Sequence, residues 1–558
     1  MRKNLKLIFI GFVFLLLPMF VLADSPGEKN EFFVDSSYDL NKRTQITATL
    51  QKIGSKTYFY LDEDWWQSLD YSKKEVVEDA LRSLNEEFSL KIYPTLTSTF
   101  GEEWKPGIDK DDRITILIHP MIKEAGGYFN NGDEYPRIQN PFSNEREILY
   151  LNAQYLNADL AKGFLAHEFT HLITFNQKEK IHGVQEEVWL NEARAETVPT
   201  LLGYDSEFEG SNLQKRVKAF IQNPSDSLTE WKGESVDYGV LNIFTQYLLD
   251  QYGLNILIDS LRAKEVGISS LNYALEKNGF KEDFSQIFTN WLISVFINDC
   301  QINPKYCYKN PNLKDLRVSP SLIYLPSGGE SSLLVTYLTK EWSANFYKII
   351  GGKGELKLEF RGTPIVNFKV PYLIQDSQGK ILINFLELDG SQKGEVSILD
   401  FGTKNISLTL LPSIQTKISG FSENEPFYSF SFSASTIEEK EAEEELIKKL
   451  LEQIEFLKNE IAKVQAEINA ILASRGQVSC RKFERDLYFG LMNSSDVRCL
   501  QEFLKNQGRE IYPEGLVTGN FLSLTSEAVK RYQAEKGIIQ TGYFGPLTRA
   551  AMNSELGR

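Results

Sequence analysis

The sequence predicts a multidomain chain: an α+β domain, an antiparallel β-sandwich, a short coiled-coil helix and a small C-terminal module. Three observations predict it. Strand-like runs precede helical ones up to about residue 298. Short Val, Ile, Leu, Tyr and Phe runs separated by turn residues fill 312–434, and an apolar three-four repeat follows 437. At 558 residues the chain is too long for one core, and 42% hydrophobic with 12% aromatic content fits folded material.

Residues 1–23 have the pattern of an export signal. Arg2, Lys3 and Lys6 lead an apolar run that ends in Val21-Leu22-Ala23, and Gly11 and Pro18 interrupt it. Cleavage leaves no membrane span; an uncleaved anchor is the alternative. Removing this segment, which carries no acid, lowers the formal charge from −15 to about −18. That balance argues against nucleic acid and anionic membrane as partners and favours an exported, soluble protein, extracellular, on the cell surface or in a periplasm. The 4 cysteines fall into two local pairs, Cys300 with Cys307 and Cys480 with Cys499. In an exported chain such pairing suggests two structural disulfides.

The first domain spans 24–310. "RTQITATL" and "KTYFYL" alternate like strands. Val76, Val77, Leu81, Leu84 and Phe88 then recur at helical spacing. "DDRITILIHPM" and "NEREILYLNA" predict buried strands on either side of the loop "AGGYFNNGDEYP". A helix follows, with Asn157 or Asp159 as N-cap. The β-sandwich spans 311–434 and carries no recognisable chemistry, so it is expected to be a spacer or binding module. In the coiled-coil segment, 437–474, Ile447, Ile454, Ile461 and Ile468 take one seam position; Leu450, Leu457, Val464 and Ile471 take the other. A coiled-coil homo-oligomer and a single stalk both fit so short a repeat.

The helix after the second strand carries His167-Glu168-Phe169-Thr170-His171. Positions i and i+4 share one helical face, so both imidazoles can reach one ion, while Glu168 points about 100° away. A hydrolytic zinc site needs two neutral imidazoles, a third ligand and an open position. Two satisfied histidines on an apolar helix, among Phe164, Leu165, Leu172 and Ile173, are the alternative. Glu192, in "EEVWLNEARAE", lies 21 positions after His171, enough for a loop and an antiparallel return helix.

These two segments resemble the gluzincin metallopeptidases, the thermolysin and aminopeptidase type. "WLNEARAE" is similar to their "WLNEGxAE", with Ala193 and Arg194 as departures. The resemblance implies a zincin-like α+β fold over most of 60–300, one catalytic Zn2+ held by His167, His171 and Glu192, and Glu168 as general base. It makes Asn191 and Glu196 the residues that steady the ligands. Two neutral imidazoles and one carboxylate leave such a zinc site at net +1, suited to polarising a carbonyl. Tyr238 is the first choice of oxyanion donor, although it immediately precedes Gly239, a register unlike the aminopeptidase pattern; His182 is the second. His119 is expected to be structural. If "REILYLNA" is the edge strand of the cleft, an extended peptide can pair with it, which favours endopeptidase action. "GIDKDDR" and "NNGDE" are candidate Ca2+ loops, with solvated acidic turns as the alternative.

The last 80 residues hold "VTGNFLSLTSEAVKRYQAEKG" and "QTGYFGPLTRAAMN". Both resemble the repeats of the peptidoglycan-binding-like three-helix domain, and the likeness covers about 480–556, within a module assigned to 476–558. Gly519, Phe521, Thr525, Gln533, Gly542, Phe544 and Thr548 match, while Leu522 and Tyr532 depart. The expectation is an exported zinc endopeptidase acting on protein or peptide substrates and tethered to a surface or wall. The alternatives are a wall-associated adhesin with an inactive protease domain and a hydrolase of peptidoglycan peptides.

Overall fold

The structure, a computed structural model, describes residues 24–157, 160–326, 331–437, 439–474 and 480–557. Residues 1–23, expected to be an export signal, and Asp159 lie outside the described residues. The chain divides into two compact units, up to Ala442 and from Glu443 onward. It is multidomain and mixed α/β, with sheet-rich layers and several helices.

The first unit starts from a six-stranded sheet: β1 (Lys29–Phe33), β2 (Gln45–Ile53), β3 (Thr57–Asp62), β4 (Ile114–His119), β5 (Gly127–Phe129) and β6 (Ile148–Asn152). Their order is β1-β2-β3-β4-β6-β5. β3, β4 and β6 run parallel, and the short β5 pairs antiparallel with β6 at the edge. The three parallel strands are buried along their whole length, as continuous apolar runs require when both faces are covered. Alternation divides them cleanly. Phe59, Leu61, Ile116, Ile118, Leu149 and Leu151 face the helices. Tyr58, Tyr60, Leu117 and Tyr150 face a second cluster with Phe32, Ile46, Met121 and Tyr128.

The helices are α1 (Glu63–Ser68), α2 (Tyr71–Glu87), α3 (Tyr93–Phe100), α4 (Leu160–Phe175), α5 (Val188–Leu201), α6 (Asn212–Gln222), α7 (Ser235–Tyr252), α8 (Asn255–Arg262), α9 (Gly267–Lys277) and α10 (Phe284–Ile297). Asp70, Ser211 and Asp283 each accept a backbone N–H of the first turn, so α2, α6 and α10 start where capping chemistry allows. In α2 the predicted stripe holds for Val77, Leu81 and Leu84, but Val76 faces solvent and Phe88 belongs to the π-turn that follows.

The 321–437 region forms β7 (Ser321–Leu325), β8 (Ser331–Thr339), β9 (Tyr347–Gly351), β10 (Gly354–Gly362), β11 (Phe368–Lys369), β12 (Pro371–Asp376), β13 (Ile381–Phe385), β14 (Lys393–Phe401), β15 (Asn405–Leu410), β16 (Ser413–Ile414) and β17 (Tyr428–Ile437). The path β13-β12-β15-β14-β10-β17-β8 is extended by β9 on β15 and β7 on β9. The expectation of a purely antiparallel layer is corrected at two pairs: β14 meets β15 in parallel at Phe401 and Asn405, and β7 and β9 run parallel over five residues, Ser321 opposite Tyr347. For β7 and β9 the reason is topological. β8 crosses to pair with β17, so the chain returns to β7 in the same direction. β10 and β17 bury alternate residues, Leu356, Leu358 and Phe360 beside Phe430, Phe432 and Ala434.

The helical and β layers share one core. Trp342, 2% exposed, packs edge-on against Phe284 and Phe288 of α10. Gln415 hydrogen-bonds Thr289 across the same seam. The amide of Gly420 donates to Glu187 at 2.8 Å, and Phe421 meets Trp189 at 6.5 Å. Cys300 and Cys307 form the first predicted disulfide, Cys480 and Cys499 the second.

The heptad segment is one helix, α11 (Glu439–Ser474). Its seam residues Ile447, Leu450, Ile454, Leu457, Ile461, Val464 and Ile468 stand 37–66% exposed. Three helices end the chain: α12 (Ser495–Asn506), α13 (Ser523–Glu535) and α14 (Pro546–Leu556). The two similar stretches become two copies of one device. Gln501 accepts from the amides of Thr518 and Gly519 and donates to Thr525. Gln533 accepts from Gly542 and donates to the Tyr543 carbonyl and Thr548. Each turn has a glycine at positive φ, and the following Phe521 or Phe544 is fully buried.

Trp342→Ala is expected to destabilise the first unit by about 3–5 kcal/mol, as for large buried aromatics. Hydrogen exchange should show protection falling in α10 and β9 together; loss confined to one layer would contradict the shared core.

Candidate metal centre

α4 and α5 pack closely enough that a Cβ on Gly163 would lie 3.9 Å from Pro199. This approach faces the two predicted histidines with Glu192. One ligand atom each from His167, His171 and Glu192 lies within 4.8 Å of the others. His167 Nε2 is 3.3 Å from Glu192 Oε2, and His171 Nε2 is 3.6 Å from Oε1. Ligands about 3.3 Å apart are what a tetrahedral ion with bonds near 2.0–2.1 Å demands.

Both imidazoles are held from behind. His171 Nδ1 lies 3.1 Å from Asn191 Oδ1, and His167 Nδ1 lies 3.4 Å from Glu196 Oε1. A proton on each Nδ1 satisfies those acceptors and turns both Nε2 lone pairs toward Glu192. Glu192 Oε2 is buried without a hydrogen-bond partner. Two oriented imidazoles, one carboxylate and an orphaned carboxylate oxygen fit a zinc ion.

Glu168 is buried on the cleft side of α4, under the edge strand. A Cβ on Gly127 would come within 3.1 Å of Glu168 Cγ, so glycine there lets β5 cross directly above it. The cleft encloses about 210 Å³ and is lined by Tyr38, Gly127, Phe129, Glu168, Val188 and Tyr238, among others. β5 takes the edge position expected of "REILYLNA"; that segment, β6, lies one strand inward because the loop after His119 folds back as a further strand.

The charges are tightly linked. Burial raises Glu168 to about 8, with Glu192 and Glu196 adding to the rise and His167 opposing it. Burial pulls His167 down, but Glu192, Glu168 and Glu196 outweigh it and lift it to about 9. Burial lowers His171 against the pull of Glu192. Burial opposes ionisation of Glu196, yet Arg216 holds it below its ordinary value.

Arg216 is a site residue that sequence reasoning missed. It donates to both oxygens of Glu196 at 2.7 Å, and its guanidinium lies 4.4 Å from the Tyr238 ring centroid. Its signal was present: Leu213, Arg216 and Phe220 form the buried stripe of α6, and an arginine on such a stripe needs a partner. Tyr38 was also missed. It reaches the cleft from the loop between β1 and β2, stacked on Tyr128 at 4.8 Å, and nothing local marks it. Tyr238 lies in the cleft as expected, braced edge-on by Trp231 at 4.7 Å. His182 lies outside the lining, with Nε2 2.9 Å from the Arg262 carbonyl. His119 is buried against Asp39 at 3.2 Å.

Arg194, the departure beside Glu192, is fully buried. It donates to Glu186 at 2.6 Å and to Ser260 at 2.9 Å. Lys178 donates to the carbonyls of Ser260, Ala263 and Glu265 and lies 3.6 Å from Glu186. This network underlies the cleft and ties α5 to α8.

Comparison with known proteins supports one part of the chain. Residues 493–552 match the family model described as "Putative peptidoglycan binding domain". No curated protein matches the sequence. Among solved structures, the M60 catalytic domain with two CBM51 domains from Clostridium perfringens is 10% identical at a TM-score of 0.22, covering 70% of this chain and 60% of that one. The pre-peptidase C-terminal domain of a Bacillus anthracis collagenase is 5% identical at a TM-score of 0.14, covering 21% of this chain and 96% of that one. A periplasmic inhibitor of g-type lysozyme from Aeromonas hydrophila is 10% identical at 0.14, covering 21% and 98%. Scores this low carry no argument about fold or activity.

Arg194→Met strips Glu186 of its closest cation inside the core. We expect a loss of about 3 kcal/mol or more, the cost of breaking a buried pair from one side, visible as a lower urea midpoint.

Proposed function

We propose that the chain is an exported, zinc-dependent endopeptidase held at a cell surface or wall by its C-terminal module. The observation that carries this reading is the convergence of His167, His171 and Glu192, with each imidazole oriented from behind by Asn191 or Glu196. The match over residues 493–552 supports attachment to peptidoglycan. The zincin-like fold is part of the same proposal, supported by the six-stranded sheet with α4 beneath its antiparallel edge and α5 packed on α4.

A zinc ion in this site would polarise a carbonyl and lower the pKa of water. The protein supplies the rest. Glu168 takes a proton from the attacking water and delivers it to the leaving amine nitrogen. Burial, with Glu192 and Glu196 adding to it, raises Glu168; a divalent cation beside it would oppose that rise and favour the carboxylate a general base needs. Burial, followed by Glu192 and Glu196, pushes Tyr238 far above its ordinary value, so its phenol stays protonated. That makes it a donor to the developing oxyanion. β5 offers free backbone groups along the cleft, and a substrate strand paired there is bound largely without regard to side chains. This favours cleavage within chains.

Self-association through α11 belongs to the same proposal: isoleucine at one seam position, with leucine at two of four places in the other, favours a parallel pair. Peptides carried by sacculi are a second substrate class, favoured by the C-terminal match alone.

Wild-type protein should hydrolyse casein with about one zinc per chain, and Glu168→Gln should bind as much zinc but lack activity. Retained activity in Glu168→Gln, or wild type without zinc, would sink the reading. Release of peptides from sacculi with casein untouched would instead select the second substrate class. Tyr238→Phe is expected to lower kcat by about 10²–10³-fold with KM little changed. Arg216→Met removes the clamp on Glu196 and should weaken zinc affinity about 10–100-fold by competition with a chelator.

A further inference from the structure

The end of the cleft beyond His171 holds groups that the hydrolytic chemistry does not use. α4 continues from the metal ligands into the π-turn Asn176–Lys180, and Thr174, Phe175, Lys178 and Glu179 all line the cavity there. A single π-turn in a helix is a frequent mark of a functional site. Phe129 of β5 and Asn131, just after it, line the same cavity from the sheet side.

Thr174 is the first sign of a ligand. A helical threonine can donate to the carbonyl four residues back, as Thr170 does to Ala166 at 2.8 Å. Thr174 makes no such bond. Its residue is 2% exposed and lines the cavity, and its hydroxyl is buried without a hydrogen-bond partner. A buried hydroxyl left unmatched is costly, so this one is placed to meet a group that enters the cleft.

The second sign is charge. Among the described residues four acids line the cleft: Glu168, Glu179, Glu186 and Glu192. Glu168 and Glu192 belong to the metal centre. Glu186 is closed off by Arg194 at 2.6 Å and the Gly267 amide at 2.7 Å. Lys178 directs its ammonium to the carbonyls of Ser260, Ala263 and Glu265, which leaves it no proton for a ligand. Glu179 remains. It accepts from the Tyr135 hydroxyl at 2.8 Å and the Asn131 amide at 3.4 Å and has no ion pair among the described residues. Lys180, the adjacent cation, lies over Trp104 at 3.3 Å from the ring centroid. Burial and then the bond to Glu179 push the Tyr135 phenol up to about 12, so it stays a donor. A carboxylate offers about four acceptor sites, so two neutral donors fix its orientation and leave room for a cation.

Distance sets the length of the ligand. Glu179 follows His171 by eight residues, about 12 Å along a helix that rises 1.5 Å per residue. A peptide backbone held at the metal reaches that far only through a long side chain. Phe129 and Phe175, with ring centroids 6.3 Å apart, offer an apolar wall to a methylene stem and ring faces to a cationic head.

We propose that this end of the cleft is a side-chain subsite that selects lysine or arginine beside the scissile bond, with Glu179 pairing the cation and Thr174 accepting a further hydrogen bond. The inference rests on the endopeptidase reading and deepens it. One substrate residue sets where the chain is cut, while β5 holds the backbone around it. An acidic side chain meets Glu179 and finds no free donor on Lys178. Norleucine fills the apolar wall but leaves Thr174 unmatched.

Two readouts separate the subsite from the reaction. N-acetylated, C-amidated alanine-rich peptides carrying one Arg, Lys, norleucine or Glu are titrated into zinc-loaded, full-length Glu168→Gln, and the same peptides are offered to the wild type. The Arg and Lys peptides should bind at least about 10-fold tighter than norleucine, as a charge-assisted hydrogen bond implies, and be cut beside the basic residue. Adding Glu179→Gln should abolish the preference. Thr174→Val should reduce it about threefold or more while melting no lower than the parent. Equal affinity for norleucine overturns the proposal, and a preference that survives Glu179→Gln overturns the assignment of the cation's partner. An all-alanine peptide with a free N-terminus that binds as tightly as the Arg peptide identifies capture of a terminal amine, which overturns side-chain selection. If the wild type cuts nothing, the endopeptidase reading falls and the binding preference still decides the subsite. Should Glu179→Gln fail to fold, the norleucine comparison decides.

Discussion

The architecture around the cleft follows from the cost of burying three carboxylates, Glu168, Glu192 and Glu196, between packed helices. No apolar core tolerates that charge uncompensated. Arg216 neutralises Glu196 from one side, the imidazoles of His167 and His171 face Glu192 from the other, and Glu168 is left with no cation of its own. The remaining imbalance points into the cleft, where the proposed metal ion would supply the missing charge. Orientation and electrostatics are therefore one problem with one solution. The groups that neutralise the acids also hold the rings and the phenol in place.

The sequence made the local part of this legible and the rest only by degrees. His167, His171 and Glu168 lie within one helical turn, so spacing alone sets them on adjoining faces. Glu192 was legible through the resemblance of "WLNEARAE" to the gluzincin pattern, its spacing from His171 leaving room for a loop and a return helix. Arg216 was half legible: its place on a buried stripe demanded a partner without saying which. Tyr38 was not legible at all, because sheet order brings it to the cleft. The same reason moved the cleft edge from β6 to β5, since a three-residue strand such as Gly127–Phe129 carries too little periodicity to announce itself. The parallel pairing of β7 and β9 likewise depends on where β8 goes.

The C-terminal module shows how a repeated motif can be mostly scaffold. Gln501 and Gln533 each fasten a glycine turn to the start of the next helix, and the phenylalanine after each turn fills the core. Such positions match a family pattern because the fold needs them, so the match identifies the module more securely than it identifies a ligand.

The bond from Gly420 to Glu187 bears on where the chain can be cut. Glu187 stands at the N-terminal boundary of the helix that carries Glu192, its carboxylate accepting from Gly420 and from the Trp189 indole, and Trp189 meets Phe421 from the β layer. The return helix thus takes its starting point from a loop more than 200 residues downstream. Proteolysis in the β layer would free that starting point while leaving every ligand in the polypeptide. A fragment trimmed to the first 310 residues would keep the motif but lose its anchorage. The smallest autonomous piece with an intact site therefore extends to about residue 437, with the β layer serving as the keystone of the helical one.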